Sequence, residues 1–250
     1  SKLGFFERKS HRIIEIKECP AAHSSLSEAI ALLRDGLVQR KIPYHPQRWE
    51  LGTGVPSVGV IASTESGMHY SLNGGRFLEG DFSLTEQLGD IVLIHRPGTF
   101  LQACPEWAFE SFSSILHEWS IKGDCLFDLY GGVGLFSAIL RKNFKTFYLI
   151  ESSTESIHHA RENFERLQIQ GKCIQGDVAE IQLAGLCSPR DTILIDPPRS
   201  GCSSNLLEKL NISGVPTLVM IGCDGATWAR DIKQLSHYRI DSLAAIDLFP

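Results

Sequence analysis

The chain lacks a long hydrophobic run. No stretch approaches the roughly 18 apolar residues that a membrane helix needs, and the start carries no secretory apolar core. An excess of positive charge is also missing: 24 Lys and Arg face 29 Asp and Glu, a formal net charge of −5. A protein that grips nucleic acid by bulk charge alone is excluded, although a local basic groove is not. Paired cysteine spacing is missing too. The seven cysteines are odd in number and scattered, in a chain of 250 residues that can bury a core without covalent staples. A reducing, cytoplasmic setting is therefore expected. Charged residues at 21% and hydrophobic residues at 43% exclude a wholly disordered or low-complexity chain, and no internal repeat or long linker is present.

Two regions read differently. From residue 1 to about 105, short strands are broken by Gly, Pro and Ser: HRIIEI, VPSVGVIAS, MHYSLNGGRFLEG and DIVLIHRP. One helical pattern interrupts them, SLSEAIALLRDGLV, with Ser25 or Ser27 as N-cap and Gly36 near its end. Asn73-Gly74-Gly75 predicts a hairpin turn, so this region reads as a smaller mixed α+β domain. From 106 to 250, strands and helices alternate. DCLFDLY, TFYLIE, KCIQGD, DTILIDPP and PTLVMIGC predict five strands, and YRIDSLAAIDLF a final β-rich stretch. Between them, LFSAILRKN predicts a short helix. Ser152 to Ile169 predicts a longer one, with Ile157, Ala160, Phe164 and Leu167 on one face and a Ser152–Glu155 capping box. Apolar strands separated by helices imply an α/β fold with a parallel, doubly wound sheet.

In such sheets a ligand sits at the carboxyl ends of the strands. DLYGGVGLFS places Gly132 and Gly134 there, where missing Cβ atoms allow a sharp turn and close approach of the backbone to a ligand. Glu151 ends the next strand, twenty residues after Gly131, where a carboxylate can accept bonds from both ribose hydroxyls of an adenosine. A dinucleotide and S-adenosylmethionine both suit this geometry. The dinucleotide fingerprint wants a small third residue where Ser137 stands, and the bulky Leu135-Phe136 pair fits a cofactor without phosphates better. Downstream, Asp196-Pro197-Pro198-Arg199 ends a strand in a stiff turn that holds Asp196 toward the same crevice. The following strand runs into Cys223, where a nucleophile is useful. The other six cysteines read as small buried hydrophobes, with a reservation for Cys19.

DLYGGVGLFS, IDPPRSGC and GCDGATWARD, in this order, resemble the RNA uracil-5-methyltransferase family, with its DLYCGxGxFS, DPPRxG and SCNPxTxARD. TFLQACPE is similar to the family's F-x-Q-x-N segment, and LGFFERKSHRIIEIKECP to the start of its central domain. The resemblance implies a class I S-adenosylmethionine methyltransferase with a Rossmann-like sheet, methylating carbon 5 of a uridine in tRNA or rRNA. It implies Cys223 as the nucleophile that adds to carbon 6, since uracil carbon 5 alone is too weak to attack a methyl sulfonium. It implies Gln102, Tyr130, Gly132, Glu151, Asp177 and Asp196 around S-adenosylmethionine, and Phe100 and Asp196 against the target base. No metal site, no membrane and a monomer are expected.

Several positions depart from the family pattern. Gly131 replaces a Cys, Leu135 and Cys104 each replace an Asn, and Gly222-Cys223-Asp224-Gly225 replaces Ser-Cys-Asn-Pro. A carboxylate at 224 pointing at the sulfur raises the thiol pKa and lowers its thiolate fraction. In the family an H-x-E base follows the FP that here is Phe249-Pro250. The partners of a Cys19 iron–sulfur ligand, and commonly an oligonucleotide-binding barrel, precede the equivalent of residue 1. The sequence given holds none of these, so it reads as the catalytic part of a longer enzyme that binds cofactor but turns over poorly without that Glu. The alternative is a homologue that binds cofactor or RNA without the chemistry.

Overall fold

A computed structural model describes residues 83–96, 99–102, 104–183 and 188–248, and before these residues 4–7, 10, 12–17, 30–31, 33–35, 49–52, 61–64, 69–71 and 78–79. The chain divides into two compact units, one of residues 1–86 and 94–98 with Pro250, the other of residues 87–93 and 99–249. Among the described residues, no helix is long and apolar enough to cross a membrane.

The first unit is built of short antiparallel strands. β1 (Gly4–Phe6) pairs with β2 (Ile13–Glu15). β3 (Trp49–Gly52), β4 (Ile61–Thr64), β5 (His69–Ser71) and β6 (Leu78–Glu79) follow one another in a four-stranded sheet. Tyr70 lies opposite Glu79 and Ser71 opposite Leu78, the pairing a turn between them requires. The turn Asn73-Gly74-Gly75 itself lies outside the described residues, as do Ser25, Ser27, Gly36, Cys19 and Cys187. Residues 30–31 and 33–35 are helical, with Ile30 and Leu33 buried. β7 (Leu84–Leu88) and β8 (Ile91–His95) form a hairpin in which His95 Nε2 meets Glu86 Oε1 at 3.3 Å, both side chains buried.

The second unit carries a five-stranded sheet. β9 (Cys125–Leu129), β10 (Thr146–Glu151), β11 (Gly171–Gln175), β12 (Thr192–Ile195) and β13 (Thr217–Met220) lie in the order β11-β10-β9-β12-β13, all parallel. The chain winds outward from β9 through β10 to β11, then returns to β12 on the other side. The switch therefore falls between β9 and β12, where the crevice for a ligand opens. Alternate strand residues feed two cores. Leu126, Phe147, Leu149 and Leu194 pack on one face with α1 (Pro105–Glu118), α2 (Leu135–Ile139) and α3 (Thr154–Arg166). Phe127, Leu129, Ile193 and Ile195 pack on the other with α4 (Ser204–Ile212), and Ile232 of α5 (Gly225–Ile232) lies against that core. Period-two side chains covered on both faces explain why these strands read as continuous apolar runs.

Two expectations need correction, and one helix is added. YRIDSLAAIDLF is not a strand: residues 239–248 form no ladder, and most of them are exposed. Apolar, β-prone residues become a strand only when a neighbour pairs with them. Helix α3 starts later than its pattern suggests. Ser153, not Ser152, is its N-cap, its Oγ accepting from Ser156 N at 3.2 Å, while Ser152 Oγ donates to Glu151 Oε1 at 3.3 Å. α1 was not foreseen at all. It opens with Pro105 after Cys104, a cap residue at φ 49° whose thiol makes no capping bond. Its face of Ala108, Phe112 and Leu116 repeats at helical spacing, the signal that could have revealed it. The α3 cap is directly testable. Ser153→Ala is expected to lower stability to urea by about 1 kcal/mol, and Ser152→Ala by less than about 0.5 kcal/mol; the reverse order restores the cap to Ser152.

Candidate functional site

Four loops meet at the carboxyl ends of the strands. The loop after β9 runs Tyr130-Gly131-Gly132-Val133-Gly134, with φ of 60° at Tyr130, 54° at Gly132 and 94° at Gly134. It is pinned from several sides. Gly131 N donates to Ile150 O at 3.1 Å, Gly134 N to Gly131 O at 2.9 Å, and Asn163 Nδ2 of α3 to Val133 O at 2.9 Å. Below it, Asp128 is fully buried and its Oδ2 accepts from Ser137 N at 3.1 Å and Ser137 Oγ at 2.6 Å. The strand end and the start of α2 are thereby joined, fixing the turn. Ser137, which blurs a dinucleotide fingerprint, is committed to this joint.

Glu151, at the tip of β10, faces the glycine loop. Its Oε2 accepts from Gly132 N at 3.1 Å and its Oε1 from Ser153 N at 2.7 Å. A carboxylate offers about four lone-pair sites, so these two bonds, with the one from Ser152 Oγ, orient the group and leave capacity for a ligand hydroxyl. The loop after β12 carries Asp196, whose N donates to Leu129 O at 3.3 Å, while Ile221 N donates to Ile195 O at 2.9 Å. The ladder thus extends to the strand tips and sets Asp196 beside the glycine loop. Gln102, in the segment before α1, donates from Nε2 to Asp196 Oδ2 at 2.7 Å. Two residues 94 positions apart are brought into direct contact.

The electrostatics are those of acids out of water. Burial pushes the Asp196 carboxyl up to about 7, the nearby charge of Asp128 adding to the shift and the Gln102 bond opposing it. Asp128 is pushed up to about 6 by burial, against the Ser137 bonds and with Glu151 adding. The Tyr130 phenol is raised to about 12, by burial first, with Cys202, Asp177 and Asp231 contributing, so it stays protonated at neutral pH. Burial likewise raises the Cys173 and Cys202 thiols to about 12. Cys223 differs from both in being exposed.

One open cavity is lined by Phe100, Gln102, Tyr130, Gly132, Glu151, Asp196 and Cys223, so seven of the eight residues singled out in the sequence share a space. Phe100 is 67% exposed, free to meet a planar ring. Asp177 does not line the cavity. Its Oδ1 accepts from Ala179 N at 2.8 Å, capping the short 3₁₀ turn Val178–Glu180. The concern over Asp224 is corrected. Its Oδ1 accepts from Thr227 N at 2.8 Å as the N-cap of α5, and the Thr227 and Ala226 bonds hold its carboxyl below the usual carboxylate range, with Arg199 adding. The acid is spent on the helix start rather than on the thiol. Leu135 and Phe136, the bulky pair expected beside a cofactor without phosphates, are both buried in the core.

The backbone of the glycine loop is tied, Gly132 N to Glu151 and Gly134 N to Gly131 O, rather than left open for a pyrophosphate. The residues present fit an adenosine with a sulfonium tail: an acid for the ribose, glycines for close approach, and Asp196 with Gln102 beyond.

A model of the tRNA (Uracil-5-)-methyltransferase family matches residues 97–250. The chain is similar to the tRNA (uracil(54)-C(5))-methyltransferase of Pyrococcus horikoshii, 26% identical over 99% of this chain and 68% of the relative. It is also similar to the enzyme of that name from Schizosaccharomyces pombe, 27% identical over 99% of this chain and 48% of the relative. A 23S rRNA (uracil(747)-C(5))-methyltransferase of Shewanella halifaxensis is 26% identical over 85% of this chain and 56% of the relative. Among solved structures, the Pyrococcus abyssi tRNA (uracil-54, C5)-methyltransferase in complex with S-adenosyl-L-homocysteine superposes with a TM-score of 0.75, at 26% identity, over 100% of this chain and 70% of that one.

The raised Asp196 pKa sets a stability test. The native state keeps a proton on Asp196 up to about pH 7, where the unfolded carboxyl has lost its own near pH 4. Across that window folding binds a proton, so stability declines as pH rises from about 4 to 7 and levels off above. Asp196→Asn lacks this decline and can still accept from Gln102. It is expected to match the parent near pH 4 and exceed it by on the order of 2 kcal/mol at pH 8 in urea unfolding; equal stability at both pH values denies the buried acid.

Proposed function

Because this chain belongs to the tRNA (uracil-5-)-methyltransferase family, whose model matches its residues 97–250, we propose that it methylates carbon 5 of a uridine in tRNA or rRNA through a covalent adduct of Cys223. The observation that carries this reading is the shared cavity: the exposed thiol opens onto the same space as Asp196, Gln102 and the Gly132–Glu151 corner. S-adenosylmethionine supplies the methyl group as a sulfonium, which carbon 5 of the activated ring accepts with loss of the thioether. Gly132 and Glu151 hold its adenosine end, with Tyr130 alongside, and Gln102 stands nearer the reacting centre. Asp177, just after β11, is the remaining contact proposed for the adenine.

Cys223 begins the chemistry. Its thiolate adds to carbon 6 of the uracil, forming the C–S bond and driving the ring electrons toward carbon 5 and the 4-carbonyl. Asp196 faces the base edge. With a pKa near 7 it donates to a carbonyl when protonated and accepts from an N–H when charged. After methylation, a base removes the proton on carbon 5, the C5–C6 double bond re-forms, and the C–S bond breaks to return the thiolate. Phe100 stacks on the target base, offsetting part of the cost of taking it out of its own stack. The mixed α+β region to about residue 105 serves as the RNA-contacting domain, and residues 106–250 as the catalytic domain. The protein acts as a monomer in a reducing, cytoplasmic compartment, where an exposed thiol stays a thiol.

The test uses an unmodified tRNA transcript, and a 23S rRNA fragment, made with 5-fluorouridine in place of uridine. Fluorine on carbon 5 cannot leave as a proton, so the adduct persists through denaturing electrophoresis in the presence of S-adenosylmethionine. A cross-linked band is expected for the parent protein and none for Cys223→Ala. A band of equal strength in both removes Cys223 from the reaction. Separately, Glu151→Ala is expected to weaken S-adenosylhomocysteine binding by about 10-fold or more in calorimetry, as losing a charged acceptor for a ligand hydroxyl implies. Unchanged affinity takes Glu151 out of the cofactor site.

A further inference from the structure

The motif GCDGATWARD contains more than its cysteine, and the side chains that follow Cys223 reach back to the Asp196 turn. Asp231, fully buried at the last turn of α5, accepts from Cys202 N with Oδ2 at 2.8 Å. Arg230 donates to Asp231 Oδ1 from Nε at 2.8 Å and from Nη2 at 2.6 Å, and Nη2 also donates to Ser200 O at 2.9 Å. Ser200 and Cys202 flank Gly201, at φ 81° in the loop that leaves Asp196-Pro197-Pro198-Arg199. A Cβ on Gly201 would strike the Asp231 carboxylate, the Arg230 guanidinium and the Thr227 methyl. The loop after Asp196 is therefore fitted onto α5 with no space for a side chain. At the other end of that helix stands Asp224, its cap, directly after Cys223.

We propose that Arg230 and Asp231 are positioning residues, clamping the Cys223-bearing start of α5 to the loop of Asp196 so that thiol and carboxyl keep one fixed relation. This rests on the covalent mechanism proposed above. Neither residue lines the cavity shared by Cys223 and Asp196, and they act through the backbone of residues 200 and 202. A buried carboxylate bonded to a backbone N–H and to a guanidinium makes a stiff joint, because releasing any one partner leaves charge unsatisfied in the interior. Two prolines on the other side of Arg199 remove the remaining slack in the turn. In this arrangement the Arg-Asp pair of one motif and the glycine of the other form a single device.

The experiment uses the whole chain and the 5-fluorouridine tRNA transcript. Adduct formation is followed in single turnover at saturating RNA and S-adenosylmethionine, beside S-adenosylhomocysteine affinity and thermal unfolding. For Arg230→Gln and Asp231→Asn the capture rate is expected to fall by about 10- to 100-fold, the cost of a misplacement on the order of 1 Å. Cofactor affinity is expected to stay within about threefold, since Gly132 and Glu151 are untouched. Arg230→Lys, which keeps the charge but not the fork, is expected to recover part of the rate. Capture at the parental rate in both variants overturns the clamp. So does a parallel loss of capture, cofactor affinity and melting temperature, which marks a merely structural pair. Arg230, half exposed, decides the matter if Asp231→Asn does not fold. A parent protein that forms no adduct at all is a different failure, that of the covalent mechanism itself.

Discussion

The hydrogen bond from Gln102 to Asp196 is the contact on which the site depends. It joins a segment before the first helix of the sheet domain to the tip of the fourth strand, at 2.7 Å. It also supplies a polar partner to a carboxyl that burial has pushed up to about 7. Without it, Asp196 sits in the crevice with the charge of Asp128 nearby and no other side-chain donor among the described residues. A buried acid of this kind costs stability, and carboxyls so perturbed cluster at functional sites.

The strand order explains why three acids crowd here. β9 and β12 are neighbours at the point where the winding reverses, so the acids they carry, Asp128 and Asp196, face the same low-dielectric region, and Glu151 arrives from β10. Each is treated differently. Asp128 is consumed by Ser137 and holds the glycine loop. Glu151 is oriented by two backbone donors and keeps acceptor capacity free. Asp196 has a side-chain donor on one oxygen, and its protonation can change near neutrality. A row of like-charged groups becomes a set of distinct tools through the hydrogen bonds each one receives.

Much of this was legible in the sequence, for a definite reason. The strands of a parallel sheet are buried on both faces, so Cys125–Leu129, Thr146–Glu151 and Thr192–Ile195 announce themselves as apolar runs. Glycines and prolines mark the loops because backbone geometry there allows little else. Residues at strand tips followed directly: Gly132, Glu151, Asp196 and Cys223 needed only a parallel sheet to share a crevice. Pairing across long separations was not legible. No local signal says that residues 239–248 lack a ladder partner, or that Ser153 rather than its neighbour caps α3. That Asp177 also caps a turn was not legible either, because an acid after a strand suits a ligand contact and a cap equally, and nothing in the sequence separates the two.

The departures from the family pattern around Cys223 become coherent when taken together. At 222 a Cβ would lie 2.6 Å from Cδ1 of Trp228, whose Nε1 donates to Met220 O at 3.4 Å. Glycine before the nucleophile and tryptophan five residues after it therefore share one space, and a serine at 222 needs the indole to move. At 224 the aspartate takes the capping role, and Gly225, with open space around its Cβ position, begins the helix where the family has proline. Proline at a first helical position supplies a preset φ and no unsatisfied donor. Here the Asp224 cap, bonded to Thr227 N, secures the same end by a hydrogen bond instead. Seen as separate substitutions, Gly222, Asp224 and Gly225 suggest decay of a catalytic motif. As one packing unit with Trp228 and Thr227, they are an alternative way to hold a thiol at the mouth of the cavity.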